Sequence, residues 1–235
     1  MSTDVAPAGR ESSGSARLQI LATEHWSLLA TRSLTYNEAL SRVTIFLAIL
    51  SGAVIALALV AQADAFGPTT ISIAIPVLCV VLFAGVVTVG RLIRLNSDDY
   101  RWVIGMNRLR HAYIEMHPDL AVYFVASPYD DPAGALQTLG IESTTIASAG
   151  AGSILHLLQT LPGMVAIVVA CVAAAIGALG GLALHGSLFE VTLAATIGFV
   201  LVIAVLGIWA RQAVRHGPPI LESRFPTPRA EDGNP

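Results

Sequence analysis

Uncharged apolar runs interrupt the chain in four places. Val43–Ala61, Thr70–Gly90, Gly163–Leu184 and Val191–Ala210 contain no Asp, Glu, Lys or Arg. Each has about the 20 apolar residues that a helix needs to cross a hydrocarbon core of roughly 30 Å. The connections Gln62–Thr69 and His185–Glu190 are so short that only tight turns fit them. The stretch Arg91–Pro162 between the two pairs is long enough for a small extramembrane unit. The pattern predicts an all-α polytopic membrane protein with four transmembrane helices in two hairpins. It adds a cytoplasmic amphipathic N-terminal helix and a helical cytoplasmic segment between the hairpins. In residue numbers, 1–16 is a disordered lead, 17–42 the amphipathic helix and 43–90 the first hairpin. Residues 91–162 form the cytoplasmic segment, 163–210 the second hairpin and 211–235 a disordered cytoplasmic tail.

Outside the apolar runs the periodicity is helical. From Ser15 to Ser51 there is no Gly or Pro, and Leu18, Ala22, His25, Leu29, Tyr36, Leu40 and Val43 recur on one face. Span one therefore continues inward as one helix starting near Ala16, its cytoplasmic part about 40 Å long at 1.5 Å per residue. His25 on the apolar face reads as a core histidine. A second helix is expected over Ser97–Met116, capped by Ser97, Asp98 and Asp99 and stopped at His117-Pro118. Its apolar stripe is Trp102, Met106, Leu109, Tyr113 and Met116. Alternatively it runs on from span two without a break, which puts Arg94, Arg101 and Arg108 on a flanking face. Glu24, Thr31 and Glu38 make a matching series on the first helix. Two antiparallel helices leaving one hairpin would bring Glu38 to Arg94 and Glu24 to Arg108 at equal depth. Further on, Asp119–Ala126 is expected as a short helix. Asp131 is expected to cap another, with Pro132 at its first position and Gly140 just past its end. Ser143–Gly152 is loosely patterned, and Ser153–Leu161 leads into span three.

Charge orients this layout. Only 12% of the 235 residues are charged, 54% are hydrophobic and the mean hydropathy is +0.70; soluble domains carry roughly 25% charged residues. All 13 basic residues are Arg, which reads as a genome composition bias. Arg42 precedes span one, Arg91 and Arg94 follow span two, and Arg211 and Arg215 follow span four, while the short loops carry Asp64 and Glu190. The positive-inside rule then places both termini and the middle segment in the cytoplasm. The expected location is a bacterial inner (plasma) membrane. The polar lead has no apolar h-region and is not a signal peptide. Trp209 fits an interfacial aromatic.

Small residues mark the faces where helices pack. Span three has Gly177 and Gly181 as a GxxxG, and span one has Thr44, Ala48, Ser51 and Gly52 on one face. Packing within one chain and packing between copies both fit these faces.

The densest chemistry lies in MNRLRHAYIEMHP, residues 106–118, with two Arg, two His and a Glu. At about 100° per residue, Arg108, His111 and Glu115 share one face, and His117 lies roughly 120° from His111. His111 and Glu115 alone supply only two ligands, short of a zinc site, and nothing places His156 beside them. The stretch reads as an amphipathic helix with its Arg, His and Glu turned outward. Asp130-Asp131 reads as a capping pair and not as a metal site. Cys79 and Cys171 lie in apolar runs without metal or disulfide spacing. No GxxxxGK[ST], GxGxxG, HExxH or GxSxG is present. No acidic, basic or His side chain lies inside a span, which argues against a proton relay. No cofactor and no catalytic residue is expected, and a net charge of −3 gives no reason to expect nucleic acid.

SLLATRSLTYNEALSRVTIFLAILSGAVIALALVAQ and MNRLRHAYIEMHPDLAVYFVASPYDD resemble a group of bacterial four-span membrane proteins with no assigned activity. The resemblance covers roughly residues 20–210. It implies the same layout and brings no catalytic residues. The expected function is a non-enzymatic, self-associating membrane component, in one form a channel or pore. The alternative is a membrane-anchored regulatory or scaffolding protein that binds a cytoplasmic partner through residues 91–162. The expected partners are the lipid bilayer, a second copy of the chain and that cytoplasmic protein.

Overall fold

A computed structural model of the chain describes residues 8–65, 67–140, 160–215 and 222–228. Among them every regular element is helical. The elements are α1 (Ala8–Ala63), α2 (Pro68–Met116), a 3-10 turn at Pro118–Tyr123, α3 (Pro132–Thr138), α4 (Leu161–Ala183) and α5 (Leu188–Arg215). Helices α1, α2, α4 and α5 are long and apolar enough to cross a membrane.

The local sequence explains most of the helix ends, two departures from expectation and the choice between the two courses expected for α2. Helix α1 begins at Ala8, not near Ala16, so it takes in part of the lead expected to be disordered. Ala, Arg and Glu favour this extension, and Gly14 weakens a growing helix without breaking it. Helix α2 runs unbroken through Ser97, Asp98 and Asp99. The Ser97 hydroxyl donates to the Ile93 carbonyl at 3.1 Å, so it is a mid-helix hydroxyl and not a cap. The expected helix Asp119–Ala126 is instead a short 3-10 segment at Pro118–Tyr123, which buries no residue; so short a segment without a buried face lacks what stabilises an α-helix. Met116 ends α2 just before His117-Pro118. Asp131 caps α3 by accepting from Gly134 N at 2.8 Å, with Pro132 in the first turn and Gly140 at φ +69° beyond the end.

Both short connections are closed by a carboxylate that caps the next helix. Asp64 accepts from Thr70 N at 2.8 Å and from its hydroxyl at 3.1 Å. Glu190 accepts from Ser187 N at 2.6 Å while the Ser187 hydroxyl accepts from Glu190 N at 3.4 Å, a capping box. Ser143–Gly152, His156 and the lead-in up to residue 159 lie outside the described residues.

The chain forms two compact units. One is Tyr36–Ser97 with Ser148–Pro218, and the other is Met1–Thr35 with Asp98–Ala147 and Pro219–Pro235. The boundaries fall inside α1 and α2.

The first unit holds the apolar runs. Its core brings together Phe46, Val81, Val89, Leu92, Val169 and Leu206. Glycines let the helices meet. A Cβ at Gly85 would lie 2.5 Å from Val169 and 2.9 Å from Phe46, and the Trp209 indole fills the space beside Gly90. Helices α4 and α5 pack in opposite directions: Gly181 faces Val191, Gly177 faces the Ala194 carbonyl and Gly198 faces the Ala173 carbonyl. In α2 and α4 the most apolar window is 39% and 28% buried, against 6% in α1 and α5. Helices α2 and α4 are therefore the inner pair.

The second unit packs the outer half of α2 against α1 and α3. Leu28 lies 3.2 Å from where a Gly105 Cβ would be. Val103, Ile104 and Ala135 are fully buried. Met106 of the expected stripe is buried too, and the buried surface widens from it to Val103 and Ile104 because α2 is covered from two sides.

Candidate functional site

Polar side chains converge on the 98–116 part of α2. Asn107 is fully buried, an expensive place for an amide unless each polar atom is paired. Its Nδ2 donates to the Tyr129 carbonyl at 2.7 Å. Its Oδ1 accepts from Arg110 at 2.7 Å and from the Thr138 hydroxyl at 2.9 Å. The same Thr138 hydroxyl accepts from Ser127 N at 3.2 Å. Asn107 thereby ties α2, the loop before α3 and the end of α3 into one network.

On the next residue, Arg108 donates through Nε to Asp130 Oδ2 at 2.7 Å. Asp130 is fully buried and its carboxylate is saturated. Oδ1 accepts from the Ser223 hydroxyl and from Phe225 N, both at 2.8 Å. Oδ2 accepts from Arg108 and, at 3.0 Å, from Arg224 N. Burial pushes this carboxyl up. The Arg224 and Phe225 amides, the Arg108 guanidinium and the Ser223 hydroxyl outweigh it and hold the pKa at about 2. Asp131 accepts from the Thr227 hydroxyl at 2.8 Å and from Thr227 N at 3.1 Å, besides capping α3. Burial raises its carboxyl and these bonds lower it further than burial raises it.

Residues 222–228 are therefore strapped onto the unit, within the stretch 211–235 expected to be disordered. Asp130 N donates back to the Phe225 carbonyl at 3.1 Å, and Arg108 Nη2 donates to the Glu222 carbonyl. His111 stacks on Phe225 with ring centroids 3.9 Å apart and planes 20° apart. Arg108 and His111 are thus not turned freely outward.

The hydrogen-bonding capacity of the Asp130 carboxylate is filled. Each oxygen of Asp130 already has two donors, which leaves no lone pair for a metal or for proton transfer. Glu115 is exposed and, among the described residues, pairs with Arg17 at 4.0 Å. Across α1 and α2 of this unit, Arg32 grips Asp99 through two bonds of 2.6 and 3.2 Å. His25 is half-buried and 6.0 Å from the Tyr113 ring; burial first, then the Arg110 charge, lowers its pKa. Trp102 Nε1 is buried with no partner among the described residues.

The ion pairs expected from sequence form with other partners. Glu38 accepts from Arg91 at 2.9 and 3.0 Å and from Arg42 at 2.8 Å, while Arg94 is exposed without an ion pair among the described residues. Arg108 holds Asp130 in place of Glu24, which is exposed. The expected depths were close, but Arg94 lies roughly 60° around the helix from Arg91. Of the packing residues, Gly177 and Gly181 sit in the α4–α5 contact. Ser51 and Gly52 are exposed, and a Cβ at Gly52 would meet nothing within 4 Å. Sequence reading missed Asn107 and residues 222–228. A hint of the strap was the alternation Ser223-x-Phe225-x-Thr227, which presents one face of an extended chain. No known protein family, curated protein or solved structure matches the chain.

Proposed function

We propose that this chain is a non-enzymatic component of a bacterial inner membrane that associates with further copies of itself through α1. In this reading the four apolar helices span the bilayer as two hairpins with both termini inside. The observation that carries it is the open face of α1. Thr44, Ala48, Ser51 and Gly52 are all exposed and share one face of its apolar run at helical spacing. Within one copy Gly177 and Gly181 of α4 are taken up by α5, while Gly52 of α1 faces open space. Small exposed residues in a membrane helix favour close helix contact. In the channel form, Thr44 and Ser51 would line an axis shared by several copies.

Gly52→Leu tests this cleanly, since a Cβ at that position meets no packed atom within 4 Å among the described residues. Energy transfer between labelled copies in lipid vesicles is expected to fall at least several-fold, with helix content unchanged. A wild-type monomer, or a Gly52→Leu variant that associates as well as wild type, rejects the reading. Ion current across planar bilayers reports on the channel form.

The saturated clasp at Asp130 favours a second reading: a membrane-anchored regulatory or scaffolding protein whose 91–162 segment meets a cytoplasmic partner. Cross-linking from this segment in cells, lost on deletion of residues 127–139, is the expected result.

A further inference from the structure

We infer that Arg108, His111, Asp130 and Asp131 form a recognition site for an extended peptide bearing a hydroxyl–x–aromatic–x–hydroxyl pattern, and that residues 222–228 occupy it as a built-in competitor. The inference rests on the second reading above and names the chemistry of its partner.

The seated segment displays the recognition chemistry in full. Ser223, Phe225 and Thr227 alternate along it, and each is read by a different side chain. Asp130 takes the Ser223 hydroxyl and two backbone amides. His111 takes the Phe225 ring face to face. Asp131 takes the Thr227 hydroxyl and its amide. The bond from Asp130 N to the Phe225 carbonyl adds a main-chain contact of the kind that extended peptides make with a receptor, and the Asp130 carboxylate takes the Phe225 amide in return. Pro226 and Pro228 donate no N–H and keep the segment extended. Nothing in these contacts requires the peptide to belong to the same chain.

Attachment makes the resident segment a strong competitor. It reaches the site from Arg215 through residues 216–221. A short tether gives an effective concentration on the order of millimolar. A free peptide with an intrinsic Kd of ~10 µM would then bind the intact chain about 100-fold more weakly. The site opens only when the resident segment is released.

The probe is a labelled peptide Glu-Ser-Arg-Phe-Pro-Thr-Pro, the sequence of residues 222–228. Its binding is read by fluorescence anisotropy against the full-length chain in nanodiscs. A full-length variant carrying S223A, F225A and T227A keeps the site and disables the competitor. This variant is expected to bind the peptide at least ~30-fold more tightly than the intact chain. Adding D130N to it should cost at least ~10-fold, and a peptide with Ala in place of Phe should bind no better than a scrambled one. A chain ending at Arg215 serves as the second variant and should match the triple variant. If both variants keep their helix content and bind the peptide no better than the intact chain, the site is refuted. Cross-links joining residues 222–228 of one copy to α2 of another in the intact protein would overturn the competitor within one chain. Peptide binding with no partner cross-linked in cells would leave the site standing and remove the scaffolding reading.

Discussion

At the scale of single residues, the structure turns on groups whose hydrogen bonds are complete. Asp130 loses charge below its pKa of about 2, against 3.8 in the unfolded chain. Its folded pKa is depressed, so its contribution is present above the unfolded value and fades as pH falls toward 2. The displacement corresponds to about 2 kcal/mol at neutral pH. Tryptic cleavage after Arg224 is therefore expected to be slow from neutrality down to about pH 5. Below that, opening followed by an acid-stable protease should accelerate. D130N should open the clasp at neutral pH at a cost of about 1–3 kcal/mol, because an amide nitrogen would face donors. Equal cleavage rates for D130N and wild type at pH 7 would contradict this account. Asn107→Leu keeps the branched shape but leaves the Tyr129 carbonyl and the Arg110 guanidinium without this partner. A loss of about 2–3 kcal/mol is expected, read as a lower midpoint for the second unit in urea. Asn107 was illegible in the sequence because it sits between an apolar Met and a run of Arg. Only the covering of α2 by both α1 and α3 turns that polar residue inward.

At the scale of elements, glycines divide into two kinds that sequence could not separate. Gly177 and Gly181 belong to one GxxxG, and Gly180 lies beside them. Gly177 meets the Ala194 backbone, whereas a Cβ at Gly180 or Gly207 would meet nothing within 4 Å. Gly177→Ala must push α5 away from α4, and overpacking of this kind costs about 1–3 kcal/mol. Gly180→Ala and Gly207→Ala are expected to be neutral or to stabilise by up to about 1 kcal/mol, the helix-propensity gain. Thermal unfolding in detergent, followed by circular dichroism, distinguishes them; similar midpoints for Gly177→Ala and Gly180→Ala would contradict the packing. The four apolar helices were legible because roughly 20 uncharged residues leave few other folds. The unbroken course of α2 through Ser97 was legible only as an alternative, since a Ser-Asp-Asp triplet caps a helix as readily as it continues one. What decides it is tertiary: Asp99 is taken by Arg32 on α1, and Glu38 by Arg91. Rotation about the helix axis, which chose Arg91 over Arg94, depends on the packing of Phe46 and its neighbours and not on spacing.

At the scale of the whole molecule, the chain closes on itself at separations a sequence does not advertise. The bonds from residues 223–227 to Asp130 and Asp131 span 93–96 residues, and no periodicity relates such segments. Each unit draws on stretches from distant parts of the chain, so their stabilities should be separable by a cut that touches only one. Ending the chain at Arg215 removes the strap from the second unit and leaves Phe46, Val169 and Leu206 in place. It deprives Asp130 of three of its four donors and leaves a buried carboxylate with Arg108 alone. Without those donors little holds the carboxyl below its ordinary value, so its folded and unfolded values draw together and the stability of the second unit should depend less on acid than in the intact chain. Amide hydrogen exchange in nanodiscs is expected to speed up at least ~10-fold at Val103–Asn107 and across α3. That loss of protection corresponds to about 1.4 kcal/mol. Amides in the middle of α4 should keep their protection, because their exchange requires opening of a unit the strap does not touch. Uniform acceleration in both units would show that they open together, and no acceleration anywhere would show that Arg108 alone suffices to hold Asp130.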